Sequence, residues 1–345
     1  MASPPKSFLH LRDALSDWDH VPSEVLFTGA RAEEQPLLSI MIPTYKRYDL
    51  LAETVRSALA QDVAEPFEVV VVDNDPESEG LSALLNAVPF VASANFRYLR
   101  NRVNLGADGN VNRGVSEARG EWVTLLHDDD LLDPDFARVM LADLRANPSY
   151  DGLVCRKRGI DQRPEQFRHS KSGHLARKVL TELQFLGSGI RRIDARKLFW
   201  GCVTGNTVGF LCRTEHVRDI GGFYPEEYPS ADYYFYARFS SRFRLGESRK
   251  VLATIRVMVN SLTRKDIQLA CLQRGAQLQT AYAGTLLPHF WRRVTPLLMA
   301  RQVAAMSGFW RSAPSQKEVD SKLGLPVPRD RPLLLYALRA LLGGL

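Results

Sequence analysis

The 345-residue chain has only four cysteines, Cys155, Cys202, Cys212 and Cys271, widely spaced and without a CxxC pair. That spacing argues against a zinc site and against a dense disulfide framework. No stretch reaches the roughly 18 to 20 uninterrupted apolar residues of a membrane-spanning helix. There is no GxGxxG fingerprint, no GKS or GKT phosphate loop, no internal repeat and no low-complexity run. The opening MASPPKSFLHLRDALSDWD carries Asp13, Asp17 and Asp19 where a signal peptide needs its apolar stretch. These absences together predict a reducing, cytoplasmic protein. What is present is ordinary for a globular chain: 45% hydrophobic and 24% charged residues, a composition that excludes disorder, a collagen-like fibre and a coiled coil.

The hydrophobic pattern is most regular in the first half. Residues 37–42 (LLSIMI) form an apolar run ended by Pro43, and 47–60 follow with apolar residues at helical spacing. A β-rich run at 67–72 leads to Asp73, a helix fits 78–87, a third strand 96–99, a helix 108–118, and a fourth strand 122–126 that ends at His127. This β-α-β-α-β-α-β alternation predicts an α/β fold, a Rossmann-like, mostly parallel sheet with helices on both faces. Ligands of such sheets sit at the carboxyl ends of the strands. Beyond that, 151–158, 205–213 and 250–259 read as strands and 232–242 as a helix. Residues 267–310 read as helical, broken at Pro288 and Pro296.

Charge divides the chain. Residues 264–345 hold 12 Lys and Arg against 4 Asp and Glu, so the formal +6 of the whole conceals a slightly acidic first 263 residues. A region 1–36, a main domain 37–265 with halves 37–135 and 150–265, and a basic, amphipathic helical region 266–345 are therefore expected.

Unusual polar residues stand at the predicted strand ends. LHDDDLLDP at 126–134 places three consecutive aspartates after a buried strand. Adjacent carboxylates repel one another and need cations or donors. A hard divalent ion such as Mg²⁺ or Mn²⁺ takes oxygen ligands of this kind together with substrate phosphates. As a plain turn the same residues would cap the next helix through Asp133 and Pro134; the strand-end position favours the metal. VVVVDND at 69–75 puts Asp73 where an acidic residue can accept hydrogen bonds from a ribose or base edge. IPTYKR at 42–47 brings Thr44 and Tyr45 to the same rim, and NLGADGN at 104–110 opens a helix whose backbone N–H groups suit an anion.

In this order the four elements resemble the family 2 glycosyltransferases, enzymes of the GT-A fold that use nucleotide-activated sugars. The resemblance covers about residues 37–265. LLSIMIPTYKRYDLLAETVRSALAQ looks like the family's opening strand and helix, FEVVVVDND like its second strand, and VNLGADGNVNRGVSEARGEWVTLLHDDDLLDPDF like its central block. It implies that Pro43, Thr44, Tyr45 and Asp73 contact the nucleobase and ribose, with Arg47, Asn104 and Gly106 also on the nucleotide-sugar. Asp128 would lie near the ribose and Asp129 and Asp130 near the metal and diphosphate, the register of the three being open. IGGFYPEEYPSADYYFYARF at 220–239 is similar to the family's IGGF segment and following acidic pair, whose final aspartate, the catalytic base, aligns with Asp232. The chain departs from the pattern at Ala231, where the family has glutamate, and at Met258, where several relatives carry a histidine near the metal.

The implied reaction is transfer of a sugar from a nucleotide-diphosphate sugar to a hydroxyl of a glycan or lipid-linked acceptor, with inversion, metal assistance and Asp232 as general base. Trp200, Gly201, Gly205 and Asn206 form a plausible acceptor wall, although Trp200 equally suits the core. Ala231 and Met258 leave room for a degenerate binding or scaffold protein, and clustered aspartates for a sugar-nucleotide phosphohydrolase. A sugar nucleotidyltransferase would need glycines after the first strand, and IPTYKRYD has none. The tail mixes aromatic residues (Phe290, Trp291, Phe309, Trp310) with arginines (Arg292, Arg293, Arg301, Arg311). It suits either peripheral contact of 286–345 with anionic lipid at the inner face of the plasma membrane or packing on the protein itself. No nucleic-acid motif accompanies the charge.

Overall fold

A computed structural model of the chain describes residues 10–32, 35–164, 189–259, 264–309 and 313–323, together with Leu334, Leu335 and Leu338. Its centre is a ten-stranded sheet in the order β1-β4-β3-β2-β5-β9-β7-β10-β6, with β8 also paired to β10. The strands are β1 (Ser23–Thr28), β2 (Leu38–Thr44), β3 (Phe67–Asp73), β4 (Phe96–Asn101), β5 (Trp122–Leu125), β6 (Leu131–Leu132), β7 (Gly152–Asp161), β8 (Ile190–Ile193), β9 (Phe210–Arg213) and β10 (Leu245–Val257). Helices α1 (Tyr48–Leu59), α2 (Gly80–Ala87), α3 (Gly106–Glu117) and α4 (Phe136–Ala146) join the first half. In the second half follow α5 (Ala195–Phe199), α6 (Thr214–Asp219), α7 (Ala231–Arg242), α8 (Lys265–Thr285), α9 (Thr295–Phe309) and α10 (Gln316–Leu323).

The unit β4-β3-β2-β5 is parallel throughout, as its alternating sequence predicts. β3 is buried from Glu68 to Asp73, the burial expected of a parallel strand covered on both faces. Successive residues of β2 divide between the two layers. Ile40 and Ile42 pack with Leu51 and Val55 of α1 and Phe136 and Met140 of α4, whereas Met41 packs with Val115 of α3 and with α7. Since β2 pairs with β3 on one side and β5 on the other, a crevice opens at its carboxyl end, where ligands of doubly wound sheets bind.

Several elements differ from expectation. β1, inside the region 1–36, adds an antiparallel edge from Ser23↔Asn101 to Thr28↔Arg97; its partly exposed pattern carries little hydrophobic signal. The strand expected over 205–213 is confined to Phe210–Arg213. Gly205 and Gly209 have φ of +69° and +75°, which interrupts extended backbone and makes 205–209 a loop. The long helical stretch breaks at Ala283 and Gly284, before Pro288, and Pro296 stands in the first turn of α9, where its missing N–H has no intrahelical role. Leu278, Tyr282, Leu287, Trp291 and Leu298 pack in the same core as α7, and Leu272, Met299, Val303 and Val319 form a smaller core among α8, α9 and α10. Trp310, Arg311 and most of 324–345 lie outside the described residues. Among the described residues no helix is long and apolar enough to cross a membrane. All four cysteines are free thiols.

Candidate active site

A cleft of about 720 Å³ lies at the carboxyl ends of β2 and β5 and is closed on its far side by the start of α7 and the end of β10. Pro43, Thr44, Tyr45, Arg47, Asn104, Gly106, Asp128, Asp129, Asp130, Asn206 and Asp232 all line it, so residues spread over some 190 positions meet in one place. Asp73, Trp200 and Gly205 do not line it.

The aspartate triplet is held from three directions. Thr54 of α1 donates its hydroxyl to the carbonyls of Asp128 (3.0 Å) and Asp130 (2.9 Å). The backbone N–H of Arg256 in β10 donates to Asp130 Oδ1 at 2.8 Å, and its guanidinium to the Asp129 carbonyl at 2.9 Å. From β2, Thr44 donates its hydroxyl to Asp128 Oδ2 at 2.8 Å, and Arg47 pairs with Asp129 at 2.6 Å and Asp128 at 3.4 Å. Burial nevertheless pushes the Asp128 carboxyl up, against Arg47 and the Thr44 hydrogen bond, and pushes Asp129 up with help from Asp130.

One residue unforeseen in the sequence is His127. It approaches Asp130 at 3.5 Å, and His127, Asp129 and Asp130 each offer one ligand atom within 4.8 Å of the others. Burial disfavours the His127 imidazolium, but the Asp130 hydrogen bond and the charges of Asp232, Asp130 and Asp129 outweigh it and move its pKa up. This donor set, one imidazole and two carboxylates gathered within 4.8 Å of one another, fits a divalent cation. Met258 lines the same cleft; the histidine beside the triplet, His127, follows the end of β5 instead.

Asp73 ends β3 opposite Thr44 of β2 but is fully buried. It accepts from the Tyr98 hydroxyl at 2.6 Å, the Tyr48 hydroxyl at 3.3 Å and the Asp75 N–H at 3.0 Å. The rim beside it is built by asparagines. Asn74 accepts from the Leu105 N–H at 2.9 Å and donates to Asn104 Oδ1 at 3.0 Å, which also accepts the Gly106 N–H at 2.8 Å. Asn101 bonds Asn74 and Asn110, and Asn110 reaches the Val72 carbonyl at 3.0 Å. Gly106, at φ +74°, turns this loop into α3.

Across the cleft, Asp232 stands in the first turn of α7. Its Oδ1 accepts from the N–H (3.1 Å) and hydroxyl (2.7 Å) of Thr207, while Oδ2 has no hydrogen-bond partner among the described residues. Thr207 is carried by the 202–209 loop, which Lys157 of β7 secures by donating to the carbonyls of Thr204 (2.8 Å) and Asn206. No sequence signal linked Thr207 to Asp232. Trp200 stacks edge-on to Phe199 (5.8 Å) and Trp291 (6.0 Å), joining α5 to the C-terminal region. Gly205 lies beside Lys157.

A family model described as "Glycosyl transferase family 2" matches residues 39–221, just over half of the chain. Among curated proteins, the GalNAc(5)-diNAcBac-PP-undecaprenol beta-1,3-glucosyltransferase of Campylobacter jejuni is 33% identical over 97 residues, which is 28% of this chain and 31% of that protein. The matches span only 30 to 38% of the length of the first curated relatives. Among solved structures, Staphylococcus aureus TarS 1-349 in complex with UDP-GlcNAc superimposes with a TM-score of 0.55 at 17% identity, over 80% of this chain and 74% of that one. The mannosyltransferase PcManGT of Pyrobaculum calidifontis, in complex with GDP-Man and Mn²⁺, gives 0.52 at 18% identity, over 95% and 85%. At such identities the two likenesses show the fold, the GT-A arrangement.

Proposed function

Since the chain belongs to glycosyl transferase family 2, we propose that it transfers a hexosyl group from a nucleoside-diphosphate sugar to a hydroxyl of a glycan or lipid-linked acceptor, inverting the anomeric centre. The observation that carries this reading is the pairing in one cleft of the His127, Asp129 and Asp130 donor set with Asp232, whose Oδ2 has no hydrogen-bond partner among the described residues. Pro43, Thr44, Tyr45 and the Asn104–Gly106 loop would hold the nucleotide, and Asp73 would act by fixing the rim beneath it. His127, Asp129 and Asp130 would hold Mg²⁺ or Mn²⁺, which when bound stabilises negative charge gathering on the diphosphate as the glycosidic bond breaks. Arg47, now paired with the triplet, is placed to turn to that diphosphate.

Asp232 Oδ2 takes the proton of the acceptor hydroxyl while its oxygen attacks the anomeric carbon from the face opposite the leaving diphosphate. Thr207, bonded twice to Oδ1, fixes the carboxylate plane and leaves the second oxygen free. General-base catalysis of this kind contributes about 10² to 10⁴ in rate.

The lipid-linked class draws on the undecaprenol-linked relative. In the described part of the tail, Leu286 and Phe290 are 39% and 51% exposed beside exposed Arg292 and Arg293, a patch that suits peripheral contact with anionic headgroups on the cytoplasmic side. The test of the activity is nucleoside-diphosphate release from UDP-GlcNAc, UDP-glucose, UDP-galactose and GDP-mannose, with Mn²⁺, Mg²⁺ or EDTA, with and without acceptor glycosides. Metal-dependent release that rises with an acceptor is expected. Release indifferent to every acceptor would indicate a phosphohydrolase, and no release or binding of any donor would indicate a binding protein.

A further inference from the structure

Asp108 is 9% exposed and lines the cleft, yet its carboxylate makes no hydrogen bond or ion pair with any described residue. The other aspartates there are all engaged: Asp128 by Thr44, Asp129 by Arg47, Asp130 by Arg256 and Asp232 by Thr207. A residue nine-tenths covered whose carboxylate has no protein partner gives up much of its hydration with no hydrogen bond in return, so its oxygens are left to what enters the cleft.

Its placement is rigid. Asn112, one turn further on the same face of α3, donates to the Phe223 carbonyl at 2.7 Å and accepts the Phe223 N–H at 2.8 Å. Gly222, at φ +73°, permits this approach, since a Cβ there would stand 2.5 Å from Asn112 Oδ1. Asp108 is thereby held toward the segment that leads to Asp232. The charges acting on it are those of Asp232 and Arg238 on α7 and Glu226 and Glu227 on the turn before it. Asp108 and Asp232 line the same cleft. Where the family resemblance sets a glutamate beside the base, this chain has Ala231, and α3 supplies a second carboxylate from the opposite wall.

We propose that Asp108 is an acceptor-binding residue, its two carboxylate oxygens accepting hydrogen bonds from neighbouring hydroxyls of an acceptor sugar so that the reacting hydroxyl meets Asp232. The inference rests on the glycosyl-transfer reading above. A carboxylate can accept from two vicinal hydroxyls at once, and a sugar bound this way completes the missing hydrogen bonds.

The test uses the full chain, as wild type, Asp108→Asn and Asp108→Glu, with Mn²⁺, whichever of the four sugar nucleotides is consumed, and octyl β-glucoside, β-galactoside and N-acetyl-β-glucosaminide as acceptors. Loss of a charged acceptor weakens binding by roughly 10- to 100-fold. Asp108→Asn should raise the acceptor KM by that factor while the donor KM moves less than threefold, and Asp108→Glu should fall between. An acceptor KM within twofold of wild type, or a donor KM that rises as much, overturns the assignment. So does consumption of a donor with transfer to none of the glycosides. A wild-type chain that consumes no donor overturns the glycosyl-transfer reading itself, and this inference with it. Folding is checked by melting at pH 8, where Asp108→Asn should melt no lower than wild type; a lower melting point would make Asp108 a structural residue.

Discussion

Replacing Asp108 by asparagine should stabilise the protein, increasingly so as pH rises. Burial, followed by the charge of Asp232 and then Glu227, pushes the Asp108 carboxyl up from 3.8 to about 7, with Arg238 opposing and Glu226 adding to the rise. The unfolded chain loses this proton near 3.8, so between the two values the folded state binds a proton that the unfolded state does not. Stability therefore falls as pH rises through that window and is lowest above 7. Roughly three units at about 1.4 kcal/mol each correspond to about 4 kcal/mol at pH 8, about 2 at pH 5 and almost none at pH 3. Asparagine keeps the shape and carries no charge, so it should regain these amounts. Urea unfolding of wild type and Asp108→Asn at pH 8, 5 and 3 reads the difference directly. A variant less stable at pH 8, or a gain of equal size at all three values, would refute the reasoning.

Three further outcomes follow from the same contacts. Asp129→Asn, Asp130→Asn and His127→Ala should each raise the Mn²⁺ concentration for half-maximal activity at least roughly tenfold, since even outer-shell partners of a metal matter by that factor; unchanged titrations would remove them as ligands. Asn112→Ala strips the buried bonds to Phe223 and to the Ala14 carbonyl and should cost about 2 to 4 kcal/mol in urea unfolding, whereas a cost below 1 would mean that the segment re-pairs. Phe290→Asp with Arg292→Glu and Arg293→Glu should reduce flotation of the chain with vesicles containing phosphatidylglycerol, and equal flotation would assign the exposed patch no membrane role.

The first half of the fold was legible because its strands are buried on both faces and its helices on one. The run Val69–Val72 and the spacing of Leu51, Val55 and Ala58 are direct consequences of that burial. Strand ends in a parallel sheet converge, so Thr44 and Asp128 could be placed together from the pattern alone. The second half resisted because its contacts are made by loops and single residues. Thr207 reaches Asp232 from a loop shaped by Gly205 and Gly209, and β9 contributes only four residues. Asp108 resembled any acidic residue in a first helical turn, and only the approach of α3 to Gly222 and Phe223 gives it a place facing the base. His127 stood in plain view before the triplet, but a histidine ending a strand carries no signal until its distance to Asp130 is known. Trp200 could have lain in a sugar site or a core; it is half-buried and packs edge-on against Phe199 and Trp291.

The central claim is that this cleft joins a nucleotide-sugar to an acceptor with Asp232 removing the proton. Acceptor-dependent nucleoside-diphosphate release by wild type and Asp232→Asn, measured at saturating donor with Mn²⁺, tests it most directly. Asp232→Asn should lower the rate by about 10² to 10⁴ while still binding the donor. Transfer at near wild-type rate by that variant would contradict the account.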